Sequence, residues 1–412
     1  MNSSIFKDYD IRGVYGRDFD DRFAFDLGNK VGQHFSADSS PDKNVVIVGK
    51  DGRPSSNAIG ERVIEGLLKS GAHVVSLGEC STPLFYFVVK KFGASGGIMV
   101  TASHNQSEYN GFKIVGRESK LISGGELKEL FEFYPLQMLE GGDYEERDFT
   151  TEYADAVIKV ADFDNADKRL NGDIIYKASP GVGRILRALE SKANFNFKEA
   201  AATIDQEDSL KIKYDDDGDR LAFENADSSA IFCIVADAVL PKKIVFGMTA
   251  SRAARKYARS KGFEVIMAKV GHSNIHHMMQ GCGADLGIEA SGHIYFKSFN
   301  FLEAPELALL IVLKQIIDSG RRLEDLAAQY PVFPRAEKTI DSSQIHEKII
   351  QRIGEKFSDG EADFTDGLTV EYPDWWFNVR ASNTEPVLRL TVEAETKKLL
   401  DDKFSELTAV LG

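Results

Sequence analysis

The chain has 412 residues, 43% apolar and 28% charged, a balance that excludes a disordered or fibrous polypeptide. Its 50 Lys and Arg against 64 Asp and Glu leave a net charge of −14. Such acidity argues against a nucleic-acid or membrane partner and requires any phosphate site to gather its positive charge locally. Three dispersed cysteines, Cys80, Cys233 and Cys282, with no CxxC pair, argue against a disulfide framework or a zinc site. The opening MNSSIFKDYD has no apolar h-region. The most apolar run, Leu307 to Leu313, falls well short of the roughly 20 residues a membrane span needs, so a cytoplasmic location is expected.

Phe23, Leu27, Val31 and Phe35 recur four apart and predict a helix over 21–35. Val45 to Val48 reads as a buried strand ended by the turn GKDGRPSS, and Ile59, Val63, Ile64, Leu67 and Leu68 mark a helix ending at Gly71. Strand HVVSLG, a helix opened by STP and strand GGIMVTAS follow, so the first 115 residues predict a parallel α/β sheet. Acidic residues 139–150 read as a linker. A second α/β segment has strand DIIY, turn ASPGVG and helix RILRALESK. A third runs from strand KKIVFGM through helix SRAARKYARSKG and strand FEVIMAKVG to a helix opened by Pro305, a residue suited to a first helical turn. From about 336 the alternating strands WWFNVRAS and VLRLTVEA and a closing helix on Leu399, Leu400, Phe404, Leu407 and Leu411 indicate a small α+β domain.

Four constellations carry candidate chemistry. In Val100-Thr-Ala-Ser-His-Asn105, Ser103 stands at the end of a buried strand, where open α/β sheets place ligands. Ser103 needs a base, a metal or a prior phosphate to react, and an extended chain points its neighbour His104 elsewhere. The alternative is a plain polar loop. In Tyr214-Asp-Asp-Asp-Gly-Asp-Arg220, Asp215, Asp217 and Asp219 alternate and offer three hard oxygen ligands suited to Mg²⁺. A solvated acidic turn fits less well, because Ile212, Tyr214, Leu221 and Phe223 flank it and crowded carboxylates beside a core require a cation. In Gly287-Ile-Glu-Ala-Ser-Gly-His293, Glu289 and Ser291 can hydrogen-bond sugar hydroxyls, although His293 alone reads equally as structural. In Arg380-Ala-Ser-Asn-Thr-Glu-Pro386, with Arg389 beyond, two guanidinium forks and short polar groups can enclose a phosphate, or the segment only joins two strands.

Together, and in this order, these four loops resemble those of the α-D-phosphohexomutase family, in its phosphomannomutase/phosphoglucomutase branch. The opening Phe6-Lys-Asp-Tyr-Asp-Ile-Arg-Gly13 matches as well, and the resemblance covers nearly the whole chain. It implies three related α/β domains, mixed sheets with helices on the faces, plus a C-terminal α+β domain in a four-domain cleft architecture. The implied domains are 1–145 with the phosphoserine loop, 146–232 shortened and with the metal loop, 233–335 with the sugar-selecting loop, and 336–412 with the phosphate-binding loop. The implied activity is reversible transfer of phosphate between O6 and O1 of mannose or glucose phosphate through a hexose 1,6-bisphosphate. One Mg²⁺ per chain, the bisphosphate as activator and a monomer or homodimer are expected. By resemblance, Ser103 is the phosphorylated serine and, with Asp215, Asp217 and Asp219, a metal ligand. His104, Lys113 and Arg220 line the transfer site, and Arg12 or His293 moves the proton. Tyr9, His272, Glu289 and Ser291 contact the sugar, while Arg380, Ser382, Asn383, Thr384 and Arg389 hold the other phosphate.

Departures from the pattern are Gln106 for a usual proline, Asp216 and Ile288 for usual glycines, and Met248 where a lysine is common. The stretch from about 170 to 245 is short, with Lys177-Ala-Ser-Pro-Gly-Val-Gly183 in place of D-x-G-N-G. These leave open a trimmed sugar-phosphate binding protein, a phosphoglucosamine mutase and, more remotely, a phosphatase.

Overall fold

The computed structural model describes residues 5–7, 10–37, 44–139, 141–163, 170, 172–193, 195–200, 209–341, 346–382 and 387–411. The chain forms two compact units, Met1–Asn225 with His293–Leu323, and Ala226–Gly292 with Glu324–Gly412.

In the first unit the strand Val45–Lys50 runs parallel to both His73–Glu79 and Gly96–Val100. Tyr109–Gly116 then pairs antiparallel with Gly96–Val100 and with Ile11–Val14. The expected all-parallel sheet is therefore mixed. Only residues 101–108 separate Gly96–Val100 from Tyr109–Gly116, too few for a parallel crossover, which takes a dozen or more. The presumed linker is a correction of the same kind. Asp143–Glu146 joins this six-stranded sheet as an edge strand parallel to His73–Glu79, and its charges suit an unpaired edge.

The predicted helices are present as Asp21–Ala37 and Ser56–Lys69, and they bury Phe23, Leu27, Val31, Val63 and Leu67 against the sheet. Glycines let these two helices touch: a Cβ on Gly28 would lie 2.3 Å from the Val63 carbonyl oxygen, and one on Gly66 2.1 Å from that of Phe25. Helix Thr82–Lys91 is capped by the Ser81 hydroxyl, which accepts from Leu84 N–H.

A four-stranded sheet follows. Ile174–Lys177 is parallel to Leu210–Tyr214 and Phe197–Glu199, and Leu221–Phe223 returns antiparallel to Leu210–Tyr214. The acidic loop is the turn of that hairpin. Residues 180–183, read as a turn, instead open the helix Pro180–Ala193, where a Cβ on Gly181 would sit 3.1 Å from Cys80 backbone. The G-x-G thus serves close packing. Ile294–Phe296 pairs with Leu302–Glu303, and Pro305 opens the helix Pro305–Ser319. Leu307 through Leu313 are buried in that helix, which accounts for the apolar run. Among the described residues, no helix is long and apolar enough to cross a membrane.

In the second unit Lys243–Gly247 is flanked by the parallel strands Glu264–Ala268 and Leu286–Ile288. Helices Ser228–Val239 and His272–Cys282 accompany the predicted helix, found at Arg252–Ser260. The first is apolar nearly throughout, so it carries little helical periodicity. The C-terminal sheet is antiparallel, in the order Arg335–Asp341, Val387–Ala394, Trp375–Ala381, Leu368–Glu371, Glu361–Asp363. Trp375, Phe377, Val379, Leu388, Leu390 and Val392 pack into one core with Leu400 and Leu407 of the closing helix Lys397–Leu411. The alternation read from the sequence is the two faces of this sheet. Buried Glu393 accepts from Arg252 N–H at 2.8 Å, a carboxylate at the start of Arg252–Ser260.

Candidate active site

Ser103 follows the carboxyl end of the strand Gly96–Val100 and takes a left-handed backbone, φ +52°. Its amide donates to Thr101 Oγ1 at 2.9 Å. This turn brings its Oγ to 3.1 Å from His104 Nδ1, so the two side chains do not diverge as an extended chain requires. His104 is nevertheless a weak base. Burial, then the charges of Arg220 and Arg12, push it down to about 3.

The hairpin turn carrying the acidic loop projects into the same place. Ser103 Oγ lies 3.4 Å from Asp215 Oδ2. Asp215, Asp217 and Asp219 each offer a carboxylate oxygen within 4.8 Å of the others, and Gly218 at φ +71° makes the turn. Lys113 Nζ, buried, donates to Asp217 Oδ2 at 2.7 Å and Asp219 Oδ2 at 2.6 Å. Thr82 Oγ1 adds a bond to Asp217 Oδ2 at 2.7 Å.

Charge in this cluster is unevenly balanced. Burial, then the Asp219 and Asp217 carboxylates, push Asp215 well above the usual carboxylate range. Against its own burial, Lys113 and then His293 hold Asp219 well below that range. Asp217 Oδ1 is fully buried without a hydrogen-bond partner. Three hard oxygen donors, one of them orphaned, fit a divalent cation such as Mg²⁺.

Cations complete the rim. Arg12 donates to Asp10 Oδ2 at 2.8 Å, to the Ala102 carbonyl at 3.2 Å and to Asn105 Oδ1 at 2.7 Å. Although burial works against it, Asp10 keeps Arg12 charged. The Arg220 amide donates to Asp215 Oδ1 at 3.2 Å, and its Nε lies 3.1 Å from His293 Nε2. That same Nε2 is 3.1 Å from Asp219 Oδ1. When bare it accepts from Arg220, and when protonated it donates to Asp219. His293 is thus placed to hold or release one proton.

In the second unit Glu289, 5% exposed, accepts from Gly271 N–H at 2.7 Å, which ties it to the turn before His272. Ser291 is exposed. Arg380 and Arg389 are direct cross-strand partners, so two guanidinium groups share one face of the sheet. Like charges so placed repel unless an anion joins them. The Ser382 amide donates to the Val387 carbonyl at 2.8 Å and closes the loop between the strands. Tyr9, Asn383 and Thr384 lie outside the described residues.

Family models match three stretches: phosphoglucomutase/phosphomannomutase alpha/beta/alpha domain I at residues 3–134, alpha/beta/alpha domain III at 227–333, and the C-terminal domain at 332–409. A phosphomannomutase of Methanocaldococcus jannaschii is 30% identical over 99% of this chain and 97% of its own length. The chain belongs to the phosphoglucomutase/phosphomannomutase family.

Other members are similar over comparable spans. An Escherichia coli phosphomannomutase is 29% identical over 99% of both chains. A Neisseria gonorrhoeae phosphoglucomutase is 28% identical over 100% of this chain and 97% of its own. The crystal structure of a family protein from Burkholderia thailandensis superposes with a TM-score of 0.83 at 26% identity, over 100% of this chain and 97% of that one. The archaeal alignment extends over 450 positions, more than the 412 residues here, so that relative has segments this family member lacks.

Sequence reasoning missed residues that hold the site together. Arg53, buried, donates to the carbonyls of Ser103, Asn105, Gln106 and Tyr109 and to Asp51. Gln106, in place of the family's usual proline, is therefore still pinned. Glu303 is 2% exposed, with a ligand atom within 4.8 Å of those of Asp219 and His293. Burial raises it to about 7. Glu303 carried a signal, a carboxylate among apolar residues two positions before Pro305, whereas Arg53, three positions beyond the strand Val45–Lys50, carried none. Met248 is 3% exposed and fills space rather than offering charge.

Proposed function

We propose that this chain is a phosphohexomutase acting on mannose and/or glucose phosphate, with Ser103 as the phosphoryl carrier. The observation that supports this most is the 3.4 Å approach of Ser103 Oγ to Asp215 within a buried group of carboxylates, Lys113 and Arg220.

In the proposed cycle a sugar hydroxyl attacks the phosphorus of phosphorylated Ser103. The new O–P bond forms as the bond to Oγ breaks, giving a hexose 1,6-bisphosphate. After the bisphosphate turns round, Ser103 Oγ takes back the other phosphate and the isomeric monophosphate leaves. His293 Nε2 accepts the attacking hydroxyl's proton and returns it in the second half. Arg12, held charged by Asp10, neutralises phosphate oxygens instead. Arg220 and Lys113 do the same, and His104 hydrogen-bonds at Oγ. Phosphoryl transfer depends mainly on such positioning and charge neutralisation. Asp215, Asp217 and Asp219, with Ser103, would hold Mg²⁺, which when bound supplies Lewis-acid stabilisation of the transferring group.

Glu289, Ser291, His272 and Tyr9 are assigned to sugar contacts. Arg380, Ser382, Asn383, Thr384 and Arg389 are assigned to the non-reacting phosphate. The domain limits proposed are 1–145, 146–232, 233–335 and 336–412, and a hexose 1,6-bisphosphate is the proposed activator.

A coupled assay with mannose 1-phosphate or glucose 1-phosphate, Mg²⁺ and catalytic bisphosphate tests the reading. Turnover of either sugar supports it, and no turnover of any hexose phosphate by folded, phosphorylated protein rejects it.

A further inference from the structure

The phosphoserine loop and the metal loop are joined by a contact outside the ligand set. The Arg53 guanidinium donates to the carbonyls of Asn105 and Gln106, each at 2.7 Å, of Tyr109 at 3.1 Å and of Ser103. Its Nε is fixed by Asp51 Oδ2 at 3.1 Å, and Asp51 accepts from Ser56 Oγ at 2.5 Å. The same Nη2 that holds Ser103 and Asn105 reaches Asp216 Oδ2 at 2.7 Å. Asp216 is the loop member between Asp215 and Asp217 and turns away from them: its side chain is 60% exposed, against 13% for Asp215 and 0% for Asp217.

We propose that Arg53 and Asp216 form a latch that sets the distance between Ser103 and the aspartate loop, with Arg53 as a positioning residue and Asp216 as its partner. The inference rests on the mutase reading above. Ser103 is held at φ +52°, a conformation that costs energy for a residue bearing a Cβ and needs its surroundings to impose it. Arg53 imposes it by gathering four carbonyls from seven consecutive residues onto one planar fork. Lysine, with three donors on a point charge, cannot reproduce that geometry. Asp216 then gives the fork a bond to the other loop. Displacing reacting groups by about 1 Å costs on the order of 100-fold in rate, so the latch acts on kcat rather than on sugar affinity.

The test uses the full chain. Asp216→Asn is expected to lower kcat about tenfold while leaving KM within about twofold and thermal stability nearly unchanged, since Asp216 is itself exposed and buried Arg53 keeps its bonds to Asp51 and the four carbonyls. Asp216→Glu, which keeps the carboxylate, is expected to recover most of the loss. Arg53→Lys is expected to lower kcat about 100-fold. In that background Asp216→Asn should cost less than about twofold, because coupled residues are non-additive. Full kcat in Asp216→Asn, or losses that multiply independently, overturns the latch.

Hydrogen exchange supplies a readout free of turnover. Amides of residues 103–109 should exchange faster in Asp216→Asn than in the unmodified chain, and equal rates overturn the proposal even if Arg53→Lys fails to fold. Loss of the mutase reading would show differently, as an unmodified chain without hexose-phosphate turnover whose loop amides still respond to Asp216→Asn.

Discussion

Ser103 Oγ stands 3.4 Å from Asp215 Oδ2, although 112 residues separate them in the chain. A strand end and a hairpin turn converge to make this contact. A neutral hydroxyl gains little beside carboxylates, whereas a phosphate placed there needs the cations that surround it. Ser103→Ala is therefore expected to abolish mutase turnover without loss of fold. Circular dichroism and a coupled assay check this together, and full activity in the variant removes Ser103 from the chemistry.

The aspartate cluster predicts a metal-linked stability. A cation that binds only the folded chain stabilises it by about 2.7 kcal/mol at one hundred times its dissociation constant. Added Mg²⁺ should raise the melting temperature of the unmodified protein, and Asp217→Asn should cancel that rise. Asp215→Asn should by itself raise stability in chelator, because it removes a charge that burial and then the Asp219 and Asp217 carboxylates disfavour. An Mg²⁺ response unchanged in both variants would place the cation elsewhere.

Glu306 predicts a pH dependence away from the metal cluster. It is fully buried at the start of Pro305–Ser319, accepts from Tyr153 Oη at 2.8 Å, and burial raises it to about 7. A carboxyl raised in the folded state contributes stability that is complete below its unfolded pKa of about 4.3 and is lost as pH rises through the folded value. The unmodified chain should lose on the order of 3 kcal/mol over that window through this group. Glu306→Gln keeps an acceptor for Tyr153 and should remove this part of the slope, leaving the variant the more stable one at pH 8. Denaturant melts at pH 5 and pH 8 decide it, and identical slopes contradict the assignment.

Arg380 and Arg389 sit opposite one another on neighbouring strands. Like charges directly opposite repel, so the pair suits a shared anion, and Arg389→Gln should leave the chain folded. A lost charge-assisted hydrogen bond to phosphate costs about 1.5–3 kcal/mol, so KM for the sugar phosphate should rise roughly 10- to 100-fold. Steady-state kinetics beside a thermal melt check this, and an unchanged KM would detach the pair from phosphate binding.

The fold was most legible where periodicity was strong. The stripe from Phe23 to Phe35, the strand Val45–Lys50 and the alternating Trp375–Ala381 and Val387–Ala394 all appear in register with their sequence patterns. What failed depended on chain direction and on partners distant in sequence. Nothing within Tyr109–Gly116 states that it runs antiparallel, and nothing within Asp143–Glu146 states that His73–Glu79 has a free edge. The site was legible as motifs because metal and phosphate chemistry restricts residue types. Arg53 was not, because its work is to bind four carbonyls, and backbone oxygens have no residue signature. The closeness of Ser103 to His104 was missed because one left-handed residue reverses the direction of the following side chain.

The central claim is that Ser103 carries the phosphate, and mass spectrometry after single turnover addresses it most directly. Protein treated with glucose 1,6-bisphosphate should carry one added phosphate that maps to Ser103. That phosphate should leave when stoichiometric glucose 1-phosphate and Mg²⁺ are supplied, with hexose bisphosphate appearing in equal amount. An unmodified Ser103 in protein that still interconverts hexose phosphates, or a phosphate on Ser103 that hexose phosphate never removes, would contradict the account.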